Sequence, residues 1–174
     1  MRQRVERDRV PYDQWTEQGA VFTTPGEVTD QDEIQRHIIE TVSAAYQVRE
    51  IAYDAWNATQ LAVRLNGAGA ICVSLAQTIG MMSESVKRIE ELVIGRTLQH
   101  GGHPVLRWMA SNCETHSDSY GNRKLKKPDR SEAKRVDGMV ALAMAVSRQL
   151  RTEPDGPSIY DQRAAAGVEA IDAW

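Results

Sequence analysis

Cysteine is scarce in this chain: Cys72 and Cys113 are the only two among 174 residues, too few for a disulfide framework or a zinc site. Long apolar runs are missing as well. No stretch approaches the ~18 consecutive apolar residues of a membrane-spanning helix, and the opening MRQRVERDRV lacks the apolar segment of a secretory leader. A soluble, reduced, cytoplasmic protein is the expectation. Charge of one sign is also lacking: 21 Lys and Arg against 24 Asp and Glu leave a net −3. No global field therefore draws the chain to nucleic acid, and any such binding has to come from local patches. Nucleophile signatures are absent, with no G-x-S-x-G and no C-x-x-C. "GAGA" at 67–70 precedes its apolar run and does not complete G-x-G-x-x-G, which argues against a dinucleotide site.

What is present suits one domain with a real core: 41% hydrophobic and 26% charged residues are ordinary globular values. Residues 1–18 are polar and Arg-rich, and "GAVFTTPG" (19–26) predicts a short strand closed by a Pro-Gly turn. Thr29 or Asp30 can cap a helix whose stripe is Ile34, Ile38, Val42 and Tyr46. Strands are expected at 48–53 and 70–75, with a helix over 57–66 between them, an alternation that argues for a parallel α/β layer. Ser83 can cap a helix to Ile94 with Val86, Ile89 and Val93 inward, and 103–112 is a short helix that tolerates Pro104. The segment from 113 to 130 reads as a hairpin or mobile loop around a Gly-Asn turn. A strong helix is predicted over 131–150, capped by Ser131, with Val136, Val140, Ala143, Ser147 and Leu150 on one face. Residues 1–150 form the expected domain and 151–174 a flexible tail with a marginal helix near its end.

Two acids stand out. Asp54 ends the apolar strand in "REIAYDAWNATQLAVRL" (49–65), and Asp137 lies early in the last helix beside Gly138. Ligands in open α/β sheets gather outside the carboxyl ends of strands. If the two carboxylates converge they suit Mg²⁺ or Mn²⁺, which prefer hard oxygen donors and, as a pair of ions, promote phosphodiester hydrolysis. The plainer reading stands beside it: an Asp after a strand is commonly a helix cap, and an Asp in a first helical turn is routine. His100, His103 and Cys113 match no zinc-finger spacing. A basic run, Arg123, Lys124, Lys126, Lys127, Arg130, Lys134 and Arg135, precedes Asp137. Alone it is a solvated loop; beside a phosphodiester-cleaving site it would hold a DNA backbone.

Four collinear blocks carry a resemblance: "VPYDQWTEQGAVFTTPGEVTD" (10–30), "VREIAYDAWNATQLAVRL" (48–65), "MMSESVKRIEELVIGRTLQHGGHPVLRWMASN" (81–112) and "DSYGNRKLKKPDRSEAKRVDGMVALAMA" (118–145). Together the chain resembles the C-terminal nuclease domain of tailed-phage terminase large subunits, the motors that package and cut phage DNA. The resemblance implies a ribonuclease-H-like α/β fold and Mg²⁺- or Mn²⁺-dependent DNA cleavage. Asp54 and Asp137 would be metal-binding carboxylates, and Lys124, Lys126, Lys127, Arg130 and Lys134 would contact double-stranded DNA. By the same likeness the partners are an ATPase motor upstream in the large subunit, the small terminase subunit and the portal. Asp137 stands in Val-Asp-Gly where the family has Ile-Asp-Gly, and Ala55 replaces a frequent Pro.

One departure is larger. The family carries an earlier strand ending in a further Asp, and this sequence starts just before "VPYDQW"; Asp8 and Asp13 follow no apolar strand. The expectation is a fragment lacking the first strands, with an unpaired apolar edge on the strand at 48–53. Two other readings remain: a catalytically incomplete DNA-binding or assembly module from a prophage, and an unrelated α/β domain with a small ligand at its strand ends.

Overall fold

The structure, a computed structural model, describes residues 2–24, 26, 29–128 and 133–152. Two short parallel strands, β1 (Ile51–Tyr53) and β2 (Cys72–Ser74), pair Ile51 with Cys72, Ala52 with Val73 and Tyr53 with Ser74. A parallel pair needs a crossover of a dozen or more residues, and helix α5 (Ala55–Gly67) provides it. Backbone bonds from Ile51 N–H to the Ile71 carbonyl (2.7 Å) and from Leu75 N–H to the Tyr53 carbonyl (2.9 Å) close the ladder at its two ends. The expected alternation is therefore present. The strands are shorter than 48–53 and 70–75 because Val48 and Arg49 remain exposed outside the ladder and Leu75 turns into the core.

That core lies between two helices, α6 (Ile79–Ile94) and α8 (Asp137–Gln149). Leu75, Met82, Val86 and Ile89 meet Met139, Ala143, Met144 and Val146, all buried. Val86 is 1% exposed and Ala143 0%, so the helices approach without a gap. Burying one such aliphatic side chain contributes roughly 1.5–3 kcal/mol. Ala52 of β1 packs on one side of this layer, and helix α7 (Pro104–Ser111) adds Leu106 and Met109. An antiparallel hairpin, β3 (Glu114–Ser117) and β4 (Arg123–Lys126), covers α6 through Leu125.

The alternative left open for 113–130 resolves to a hairpin with a built turn. Asp118 accepts from the N–H groups of Tyr120 and Asn122 and from Asn122 Nδ2, each at 2.9 Å. The Asn122 amide, foremost, holds its carboxyl below the usual range. Gly121 adopts the left-handed φ of +76° that the turn requires.

Several boundaries differ from expectation. Helix α6 starts at Ile79, capped by Thr78 Oγ1 accepting from Met81 N–H at 3.4 Å. Ser83 is instead buried, where its Oγ accepts the Arg123 N–H at 3.1 Å and fixes the hairpin to α6. Val93, expected inward, is 55% exposed, in an open cleft that it lines with Thr115 and Leu125 of the hairpin. Helix α8 begins at Asp137, not near Ser131, which lies outside the described residues. Residues 133–136 are non-helical because Asn112 Nδ2 donates to the Arg135 carbonyl at 3.1 Å, a tertiary bond that takes an acceptor a longer helix would use. Val136 accordingly sits at the N-cap, and Leu150 follows the helix end, 40% exposed.

The strand expected in 19–26 does not form in the described part. Ala20 and Val21 N–H both donate to the Trp15 carbonyl (2.8 and 3.1 Å), folding this segment back on helix α2 (Tyr12–Glu17). The Arg-rich start is helix α1 (Arg2–Asp8). Tyr12, Trp15 and Trp108 stack edge-on or tilted, with ring centroids 5.5–6.3 Å apart, and so tie α2 to α7. Asp30 caps helix α3 (Gln31–Arg36) by accepting from Asp32 N–H at 2.8 Å. The helix then widens into a π-helical stretch, His37–Val42, before α4 (Ser43–Ala45). Apolar residues at every fourth position drift off a regular α-helical face, and the wider turn keeps Ile34, Ile38 and Val42 half-buried together. Tyr46, beyond it, is 71% exposed. The expected tail helix lies outside the described residues.

Glu50, just before β1, grips Arg148 near the end of α8 with two bonds, Nε to Oε1 at 2.6 Å and Nη2 to Oε2 at 3.0 Å. The Arg148 guanidinium holds the Glu50 carboxyl below its ordinary value. A carboxylate with a depressed folded-state pKa contributes stability that is present above its unfolded pKa and lost as pH falls through the folded one. The Glu50→Gln protein is expected to melt below the parent at pH 7, with the difference closing as pH drops below about 4.5; thermal melts across pH 3–7 check it.

Candidate functional site

Asp54 leaves β1 half-buried and caps α5, its Oδ1 accepting from Trp56 N–H at 3.1 Å. The plain capping reading is therefore true of one oxygen. Among the described residues Oδ2 accepts no hydrogen bond, so the cap does not use up the carboxylate. Asp137 is the first residue of α8, exposed, and among the described residues its side chain makes no hydrogen bond or ion pair.

Chain direction relates the two. Glu50 holds Arg148, while Ile51 and Ala52 share one groove wall with Ala141, Met144 and Ala145. Strand and helix thus run in opposite senses. From Glu50 to Asp54 is roughly 13 Å of extended chain, and from Arg148 back to Asp137 roughly 16 Å of helix. Both acids consequently lie toward the same end of the layer, outside the carboxyl end of β1.

The start of α8 is held firmly. Val136 carbonyl accepts from Met139 and Val140 N–H (2.9 and 3.0 Å), and Gly138 N–H points at Met109 Sδ, 3.1 Å away. A Cβ on Gly138 would stand 2.8 Å from that sulfur and 3.6 Å from Leu106 Cδ1. Glycine here lets α7 reach the turn that carries Asp137. Asn112, 5% exposed, fixes the preceding segment through its bond to the Arg135 carbonyl. Met109 and Asn112 were not legible as supports of this site, because a thioether and an amide inside an amphipathic segment carry no local signal of what they will face.

The other candidates separate. Asp8 is consumed by Arg7 (Nε to Oδ1, 2.6 Å) and the Tyr12 hydroxyl (3.3 Å), and the Arg7 bond, foremost, holds its carboxyl below the usual range. It is a joint between α1 and α2, not a further ligand. Among the described residues no cluster of three or more His, Cys, Asp or Glu side chains could hold a metal ion, which also disposes of the His100, His103 and Cys113 grouping. Burial pushes the thiols of Cys72 and Cys113 up, so both stay protonated at neutral pH. Asp54 and Asp137 thus fit a hard cation in kind, and the described residues do not complete its ligand set.

The hairpin register sorts the basic run. Leu125, opposite Thr115, packs toward the core, and Arg123, opposite Ser117, pairs with Glu90 on α6. Lys124, opposite His116, and Lys126, opposite Glu114, therefore occupy the outer face, with Lys126 Nζ 3.8 Å from Glu114 Oε2. Lys127 and Lys134 are exposed, and Arg130 lies outside the described residues.

Comparison with known proteins gives a consistent likeness. A family model described as the endonuclease domain of the terminase large subunit matches residues 1–153. The "Terminase, large subunit" of Enterobacteria phage HK97 is 34% identical over 149 residues, 84% of this chain and 29% of that one. "Protein YmfN" of Escherichia coli K12 is 27% identical over 164 residues, 92% of this chain and 35% of its own. The crystal structure of the HK97 large terminase superposes with a TM-score of 0.75 at 32% identity, covering 84% of this chain and 30% of that one. The chain spans about a third of the length of the relatives it matches. The α/β layer described above is, by that superposition, of the ribonuclease-H-like type. No helix of the described residues is long and apolar enough to cross a membrane.

Gly138→Ala is expected to be near neutral for stability. The sulfur it meets lies near the end of a flexible side chain and has to give by a few tenths of an ångström, a cost set against a gain in helix propensity of at most about 1 kcal/mol. Gly138→Leu overfills the same gap and should cost about 1–3 kcal/mol. Chemical denaturation of both variants checks the pair.

Proposed function

The chain belongs to the terminase large-subunit endonuclease family, and from that premise we propose that it contributes the nuclease chemistry of such a subunit: metal-dependent hydrolysis of phosphodiester bonds in double-stranded DNA, cutting concatemeric genomes during packaging in the host cytoplasm. The observation that supports this best is the opposed run of β1 and α8, tied by Glu50 and Arg148, which sends Asp54 and Asp137 toward one end. Asp54, through Oδ2, and Asp137 would hold the ion, Mg²⁺ or Mn²⁺. When bound, such an ion activates water and stabilises the leaving oxygen. The protein's own part is to aim these oxygens: the Trp56 N–H orients Asp54, and Met109 and Asn112 hold the turn before and after Asp137. Lys124, Lys126, Lys127, Arg130 and Lys134 would neutralise phosphates along the duplex. The relatives are about three times as long as the matched segment, so we assign the remaining metal ligand and the ATP-driven motor to polypeptide outside these residues, with the small terminase subunit and portal as further partners.

A second reading has one observation in its favour. Among the described residues the ligand set is incomplete, as expected of a module that binds DNA or assembles with a partner without cutting alone.

Nicking of supercoiled plasmid with Mg²⁺ or Mn²⁺, against a chelator control, separates the two. Under the nuclease reading Asp54→Asn and Asp137→Asn each lower nicking by about 100-fold or more, since even the outer partners of metal ligands are worth roughly 10–100-fold. Binding without metal-dependent nicking supports the second reading. Parent-level nicking by both variants sinks the assignment of the acids. Titrating duplex DNA at several salt concentrations tests the basic face: neutralising Lys124, Lys126 and Lys127 should flatten the salt slope by roughly 0.9 for each phosphate no longer neutralised.

A further inference from the structure

Trp56 is 88% exposed, whereas Trp15 is 7% exposed within the aromatic cluster of α2 and α7. It stands in the first turn of α5, two residues past Asp54, and its backbone N–H is the group that orients the Asp54 carboxylate. The indole therefore projects from the same turn that carries the acid. The fold does not need it there. Helix α5 buries Ala62 and Leu65 on its other side, and the residues around Trp56 on the outward turns, Ala55, Thr59 and Gln60, are small or polar and exposed. Trp56 is thus a lone ring, not the head of an apolar stripe that a protein partner would cover; Val63, also exposed, is two turns away.

Charge argues for what such a ring would hold. Two carboxylates at this end repel a DNA backbone, and no basic side chain lies in the first two turns of α5 to offset them. An uncharged aromatic can grip an unpaired nucleotide without adding charge, through the π-face of its base, which an intact duplex keeps covered by the neighbouring bases. We propose that Trp56 stacks on a nucleobase that is unpaired where the DNA strand is presented to Asp54 and Asp137, and so positions that strand beside the acids. This rests on the nuclease reading of the site. It assigns a division of labour, in which the lysines of β4 set overall affinity through phosphates and Trp56 sets the local placement of the strand.

The test uses the full chain with fluorescein-labelled single-stranded and duplex oligonucleotides, in chelator, read by anisotropy and by intrinsic tryptophan emission. Trp56→Ala is expected to weaken binding of the single-stranded oligonucleotide about 5-fold to 100-fold, in line with base–aromatic stacking, to affect the fully paired duplex much less, and to leave the salt slope unchanged, because the same number of phosphates is neutralised. Trp56→Phe should restore most of the affinity while abolishing the DNA-induced quench of tryptophan emission. As the ring is exposed, the melting temperature should stay at the parent value, which separates a missing stacking partner from a damaged fold. Parent-like affinity and a retained quench in the variants overturn the proposal. If that result comes with nicking that still depends on Asp54 and Asp137, only the role of Trp56 falls. If the parent chain binds no DNA, the nuclease reading falls with it.

Discussion

Ala143 has no exposed surface, and the rest of the molecule depends on the close helix approach it permits. With a methyl at this position α8 lies directly on α6, meeting Val86 and Ile89. The elements packed against that pair take their places from it. β1 leans on α8 through Ala52 and the Glu50–Arg148 grip, and the hairpin leans on α6 through Leu125 and the Ser83 hydroxyl. α7 leans on the first turn of α8 through Met109. A close-packed interior has few voids to absorb a displacement and so transmits it. A change in the α6–α8 spacing would therefore move the end of the layer that carries Asp54 and Asp137.

The polar interactions divide into those that hold and those that present. Asn112, Ser83 and Glu50 are buried or half-buried, and each uses its bonds to join elements far apart in sequence. Asp137 and Trp56 are exposed in the first turns of their helices, next to segments that the first group has fixed. An end built this way is exposed without being loose.

β1 pairs with β2 on one flank, and among the described residues nothing pairs with it on the other. Between β1 and α8 runs a groove lined by Arg49, Ile51, Ala52, Ala141, Met144 and Gln149. An apolar strand edge of this kind is a template for further pairing, and it matches the sequence expectation that this strand would carry an open edge.

Much of this was legible from local pattern. The strand–helix–strand unit, the hairpin, the helix at Pro104 and the position of Asp54 at a strand end all follow from periodicity, breakers and caps, which act over a few residues. Family membership was legible from four collinear blocks. In two places where local pattern misled, a tertiary bond was the cause: Ser83 faces a hairpin and so does not cap, and α8 starts six residues later than Ser131 because Asn112 holds the Arg135 carbonyl. The sequence by itself determined which residues are acids, caps and core, since those depend on side-chain chemistry and short-range spacing. Only the tertiary structure decided that Asp54 and Asp137 lie toward one end, that Arg123 pairs with Glu90 of α6 while Lys124 and Lys126 take the other hairpin face, and that Trp56 is exposed beside the acid among the described residues. Those outcomes depend on the relative sense of elements separated by tens of residues, which no local pattern encodes.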